Sequence, residues 1–217
     1  MIYTKDNPSK EYIKLINDYK VIHKKGTAGQ NPSETYNGKA TINFAEIIRK
    51  IIIKNDCVNL LDYGSGKGDR YFNPSKRRDG KSFPPLKDYW KIQPTFFDPG
   101  VPYPKPVNSV FDIVLCIDVL EHIPYQDLGW VLNEIFEFSK KIVFINVACY
   151  KSNATLLNGK NAHVSLFDPW WWSGYIEAIA SKYERKVLLV CTHIAGETDK
   201  AHKFFSYSIN IDLKEYS

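Results

Sequence analysis

Apolar positions along this chain recur with two different periods, and the two alternate. Between Glu11 and His23, residues Tyr12, Ile13, Ile16, Tyr19 and Val21 predict a short helix. Lys24 to Ser33 carries Gly26, Gly29 and Pro32 and reads as a loop. From Lys39 to Lys54 a second helix is expected, with Ile42, Ala45, Ile48 and Ile52 on one face and Ile47 and Ile51 widening it. Three runs are instead continuously apolar: Val58 to Asp62, Phe111 to Ile117 and Lys141 to Val147. That is the pattern of strands covered on both faces of a parallel sheet. A further strand over residues 92–97 ends at Asp98. Helices are predicted from Pro124 to Ser139 and from Asp168 to Tyr183, the first with proline at its opening position, the second with an aspartate cap followed by proline. Two final strands span Lys186 to Ile194 and Lys203 to Ile211; the eight residues Ala195 to His202 are too few for a helical crossover, so the pair is expected as an antiparallel hairpin. Strands alternating with helices predict an α/β fold with helices on both faces of the sheet.

A chain of 217 residues is long enough for one domain with its own core, and no internal repeat breaks it. Its 29 Lys and Arg against 24 Asp and Glu leave a net charge of +5, too mild an excess to point to nucleic acid. Cys57, Cys116, Cys149 and Cys191 lie far apart without a CxxC pair; three sit inside apolar runs and Cys57 directly precedes one. They read as buried free thiols of a reducing compartment. Met1 to Asp6 lacks the build of a secretory leader, and no apolar run approaches the roughly 18 residues of a membrane span. The expectation is a cytoplasmic protein without a membrane partner.

The most informative segment is Leu60-Leu61-Asp62-Tyr63-Gly64-Ser65-Gly66-Lys67-Gly68, a glycine loop directly after a buried strand. Its spacing is not GxxxxGK[ST], and Asp69 stands where a dinucleotide fingerprint needs its third glycine. A carboxylate beside a pyrophosphate would also be repelled. A tight ligand-free turn and a loop that approaches a non-phosphate ligand both remain. Thr95-Phe96-Phe97-Asp98-Pro99 sets a second acid at a strand end, and Phe111 to Ile117 runs into Asp118-Val119-Leu120-Glu121-His122-Ile123-Pro124.

Taken together, these three segments resemble class I S-adenosylmethionine-dependent methyltransferases, from about Lys39 to Val147 and more loosely to the end of the chain. The resemblance implies a Rossmann-like methyltransferase fold in a single domain over 1–217, with 1–38 as an N-terminal lid or extension and 39–217 as the core. It implies S-adenosylmethionine as cofactor and S-adenosylhomocysteine as product. Asp62 and the loop residues Gly64, Ser65, Gly66 and Gly68 would face the cofactor's amino-acid end, Asp98 its ribose hydroxyls, and Asp118 with Val119 its methionine end. Tyr36 and Lys39 would contact cofactor or substrate from the lid.

The chain also departs from that pattern. Pro74, Pro84 and Pro85 interrupt the region after the glycine loop, and only twelve residues separate Asp98 from Phe111, four of them proline. The third strand is therefore expected to be missing, with the adenine pocket built from the proline-rich segment. After the fourth strand of the family pattern, taken as Phe111 to Ile117, one antiparallel strand is expected beside residues 141–147. Lys76, Arg77, Arg78 and Lys81 are read as a solvated loop.

No NPPY-type sequence follows the strand at 111–117, which favours an oxygen of a small metabolite or sugar as acceptor over an exocyclic base amine. A nucleic-acid or protein acceptor, or a module that binds the cofactor without catalysis, are the alternatives. His122 and His163 are the candidate general bases, with His122 read as titrating near neutrality and Asp118 beside it. No cluster with metal-ligand spacing is read from the sequence, so no metal is expected. Among Trp170, Trp171 and Trp172, one is expected in the core and one in the pocket wall.

Overall fold

The structure is a computed structural model that describes residues 2–26, 31–33, 35–194, 202–212 and 214. In chain order its elements are α1 (Lys10–Lys25), α2 (Ala45–Lys54), β1 (Leu60–Tyr63), a small ribbon of β2 (Ser75–Lys76) and β3 (Ser82–Phe83), α3 (Leu86–Trp90), β4 (Pro94–Phe97), β5 (Phe111–Ile117), α4 (Leu128–Phe138), β6 (Ser139–Ala148), α5 (Pro169–Ala180), β7 (Lys186–Ile194) and β8 (His202–Ile209). Six strands form one sheet in the order β4-β1-β5-β6-β7-β8. The first five run parallel and β8 pairs antiparallel with β7. This is an α/β fold with a mostly parallel sheet. Among the described residues no helix is long and apolar enough to cross a membrane.

The continuous apolar runs are explained by burial on two sides. Successive strand residues point to opposite faces, so Leu60 packs with Ile48, Ile51 and Trp90 while its neighbour Leu61 packs with Leu132, Ile135 and Phe136. The same split runs along β5, where Ile113 and Leu115 face α2 and Val114 and Cys116 face α4. Trp90 closes the α2 side, its indole N–H donating to the Ala45 carbonyl at 2.8 Å. Trp172 and Ile176 of α5 fill the opposite layer. Cys57, Cys116 and Cys191 are buried and Cys149 is half-buried, all as free thiols.

Two expected helices enter through tighter turns: residues Lys39–Phe44 and Tyr125–Asp127 are 3-10. The expected absence of a third strand holds in that no strand occurs among residues 98–110, and β4 is the sheet edge. The hairpin of β7 and β8 forms as expected, and its turn at 195–201 lies outside the described residues, as do 27–30 of the loop expected between Lys24 and Ser33. The placement of β7 is a correction. The strand beside β6 is not antiparallel: β7 pairs with it in parallel from Ile142↔Lys186 to Ala148↔Thr192. The cause is α5, which packs across the sheet between β6 and β7 and returns the chain in the same direction, as a helical crossover does.

The helix before the core also differs in its face. Leu15 and Ile22 are buried, whereas Ile13 and Val21 are exposed. Ser9 caps α1 by accepting from the Tyr12 N–H, and its own hydroxyl donates to Asp127 Oδ2 at 2.5 Å. Asp127 also accepts from the Ser9 amide and the Trp130 indole, so the start of α1 is fastened to the start of α4. The basic segment after the glycine loop is ion-paired: Arg77 meets Glu46 and Asp79, and Lys81 meets Glu46.

Candidate functional site

Parallel strands of an open α/β sheet place their ligand crevice at their carboxyl ends. Here the ends of β1, β4 and β5 border a cavity of about 290 Å³ that contains Asp62, Gly64, Ser65 and Gly66, then Asp98, Pro99 and Gly100, then Asp118, Val119 and His122. From above, α1 contributes Tyr12, Ile16, Tyr19 and His23, and the segment after it contributes Tyr36 to Thr41, which includes Lys39. The N-terminal extension therefore covers the crevice.

On the β1–β4 flank the protein occupies its own polar groups. Asp98 accepts from the Gly66 amide at 2.9 Å and the Gly100 amide at 2.7 Å, which ties the glycine loop to the turn after β4. Asp62 is buried and accepts from the Tyr71 hydroxyl at 2.8 Å. Burial pushes its carboxyl up to about 7; the Tyr71 hydrogen bond opposes this, and the charge of Asp98 adds to it.

The glycines of the loop answer to neighbours within the protein. Gly66 has φ +55°, and a Cβ there would stand 2.1 Å from the Tyr36 carbonyl oxygen, which accepts from the Lys67 amide. Gly64, at φ +78°, lies against Val119. Gly68 packs under the Phe96 ring and does not border the cavity. The glycine spacing thus records how closely the lid and the neighbouring strands approach; it is the cavity and its carboxylates that suit a ligand.

The β5–β6 flank is built differently. Asp118 takes φ +61°, a conformation aspartate tolerates better than most residues, and is exposed. The following turn carries Glu121 into full burial, where Oε1 accepts from the Ala148 amide at 2.6 Å. Its Oε2 is buried, and the Asp118 side chain lies within hydrogen-bond reach of the Glu121 carboxyl. Burial and the nearby charge of Asp118 push the Glu121 carboxyl well above the usual range.

Both candidate bases are here. His122 Nδ1 lies 3.0 Å from the Ala162 carbonyl and 2.7 Å from the Tyr19 hydroxyl, and His163 Nδ1 lies 2.5 Å from the Tyr150 carbonyl. The Tyr150 carbonyl can only accept, so His163 Nδ1 carries the proton and its Nε2 keeps a lone pair; His122 Nδ1 meets both a carbonyl and a hydroxyl able to donate to it, so either tautomer satisfies that ring. The two rings stand edge to face with centroids 4.8 Å apart.

His122 does not titrate near neutrality. Burial, with a smaller contribution from His163, pushes it down to about 4 against the opposing influence of Asp118 and the Ala162 carbonyl. The reading without a ligand cluster is corrected as well. Asp118, His122 and His163 each bring one donor atom within 4.8 Å of the others. Their separation along the chain hid this, because His163 arrives on the loop after β6.

None of the three tryptophans lines the cavity. Trp172 is core, Trp171 stacks between Phe167 and Tyr175, and exposed Trp170 meets Phe205. Residues overlooked in the sequence are Tyr19 and His23, which had no visible target, and Tyr71, which holds Asp62. Comparison of the chain with protein-family models, with curated proteins and with solved structures finds no match.

Proposed function

We propose that this protein is an S-adenosylmethionine-dependent methyltransferase of class I type that acts on an oxygen of a small metabolite or sugar. The observation that carries the reading is the gathering, around one cavity, of residues from all three resembling segments: Asp62 with Gly64 to Gly66, Asp98, and Asp118 with Val119. The fold would be a variant of the methyltransferase type that lacks the outer strand and adds β7 in parallel.

In this reading the cofactor's cationic ammonium and sulfonium suit a crevice bordered by three carboxylates, Asp62, Asp98 and Asp118. A cation beside Asp62 would stabilise its ionised form, which burial alone disfavours. Each Asp98 oxygen keeps a lone pair beyond its amide contact, and these would accept from the two ribose hydroxyls.

Transfer is an in-line displacement. When bound, S-adenosylmethionine would supply the methyl carbon to a lone pair of the acceptor oxygen, its C–S electrons staying on sulfur, and the hydroxyl proton would pass to a base. Alignment in the covered cavity supplies much of the acceleration. An imidazole takes the proton: that of His122, which borders the cavity, or that of His163, whose ring stands against it. Titration calorimetry with S-adenosylmethionine and S-adenosylhomocysteine tests the reading. Both should bind the wild type, and Asp98→Ala should weaken binding by about 1.5–3 kcal/mol, the scale of hydrogen bonds to a charged group. No binding by the wild type, or unchanged affinity in the variant, overturns it.

A further inference from the structure

We propose that Asp118, His122 and His163 form a binding site for a divalent first-row transition cation at the mouth of the cavity. The assignment stands on these side chains and does not rest on the methyl-transfer reading. One donor atom from each residue already lies within 4.8 Å of the other two. Donors bonded to a common ion at about 2.1 Å stand roughly 3.0–3.5 Å apart, so closure needs side-chain shifts of about an ångström.

The way the two imidazoles are held supports the assignment. Metal-bound histidines characteristically donate the other ring N–H to a carbonyl or carboxylate, which fixes the ring and its tautomer. His122 meets the Ala162 carbonyl through Nδ1, and His163 meets the Tyr150 carbonyl in the same way. Among the described residues neither Nε2 has a hydrogen-bond partner. One ring nitrogen of each histidine thus lies on the side that Asp118 shares; an ion bound there would occupy the lone pair that methyl transfer would otherwise use to take the proton, so one imidazole cannot serve both roles.

The donor set selects the ion. Two imidazoles and one carboxylate suit Mn²⁺, Fe²⁺, Co²⁺ or Zn²⁺, whereas Mg²⁺ and Ca²⁺ prefer all-oxygen sites. Three protein ligands leave coordination positions open, and Asp118 and His122 border the cavity, so those positions are available to water or to an oxygen of a bound molecule.

The test uses the full chain after treatment with a chelator, titrated with Co²⁺ and followed by its visible absorption, and with Mn²⁺ followed by electron paramagnetic resonance. One equivalent should bind, with nitrogen coupling on the Mn²⁺ signal. Asp118→Asn and His163→Gln should each weaken binding by at least about tenfold, and His23→Gln should not. Asparagine accepts the positive φ of position 118, so that variant keeps the fold, checked by circular dichroism. Absence of stoichiometric binding, equal affinity in Asp118→Asn and wild type, or loss through His23→Gln instead would overturn the proposal.

Discussion

The two flanks of the cavity are built on opposite principles. On the β1–β4 side, Asp98 holds two backbone amides, Asp62 holds a tyrosine hydroxyl, and each loop glycine is fitted against a neighbour. On the β5–β6 side, two carboxyls, Asp118 and Glu121, are brought together, and one nitrogen of each imidazole has no hydrogen-bond partner among the described residues. The first flank is already organised and can change little when a ligand arrives. The second holds donor atoms in place and leaves their bonding capacity unused. A crevice with one flank of each kind can fix a ligand's position on one side and direct chemistry from the other.

The sharpest way to break this contrast is Gly66→Ala. The new methyl group would stand 2.1 Å from the Tyr36 carbonyl oxygen on a backbone at φ +55°. Strain and overpacking together should cost about 3 kcal/mol, read as a lowered denaturation midpoint, with faster hydrogen exchange in α1 as the lid loosens. A midpoint unchanged from wild type would show that the lid does not press on the loop.

Asp62→Asn separates stability from binding on the same flank. The folded carboxyl sits near 7, above its unfolded value near 3.9, so the folded state holds the extra proton. Its contribution to stability is full below about pH 4, falls as pH rises to 7 and is lost above that. Asparagine keeps an acceptor for Tyr71 and removes the loss. The variant should be more stable by about 2 kcal/mol at pH 8 and little changed at pH 4, while S-adenosylmethionine affinity falls at least about tenfold. Equal denaturation midpoints at pH 8 would contradict the burial argument.

The smallest effect is expected on the other flank. In chelator-treated protein, Glu121→Gln replaces a carboxyl already held protonated with a neutral group of the same shape that still accepts from the Ala148 amide. Stability at pH 7 should change by less than about 1 kcal/mol. A large loss would mean that Glu121 is ionised and paired, and that the two flanks are alike.

Much of this arrangement was legible from local pattern. Phe111–Ile117 was read with its observed ends because a strand buried on both faces is apolar throughout. The acids at 62, 98 and 118 stood out near the ends of the strands read from the sequence, and their expected roles came from the family resemblance. The neighbour of β6 was not legible: loop length fixes the pairing of β7 with β8, but the partner on the other side depends on where α5 carries the chain. The face of α1 was misjudged for a related reason, since Leu15 and Ile22 are buried by elements far along the chain. His122 and His163 meet only in the folded molecule, and burial then removes the neutral titration expected from histidine's ordinary value.

The fastening of α1 has a consequence for the order of events during synthesis. Ser9 finds its partner at Asp127, 118 positions further on, and Tyr19 finds His122, 103 positions further on. A ribosome must therefore add β1, β4 and β5, half of the strands of the sheet, before α1 has these partners to dock on. Chains emerge at about 5–20 residues per second, so that segment waits several seconds as a free amphipathic strip. Its arrival is the step that converts an open crevice into a covered one, so the cover is completed only after residues more than a hundred positions further on have been made.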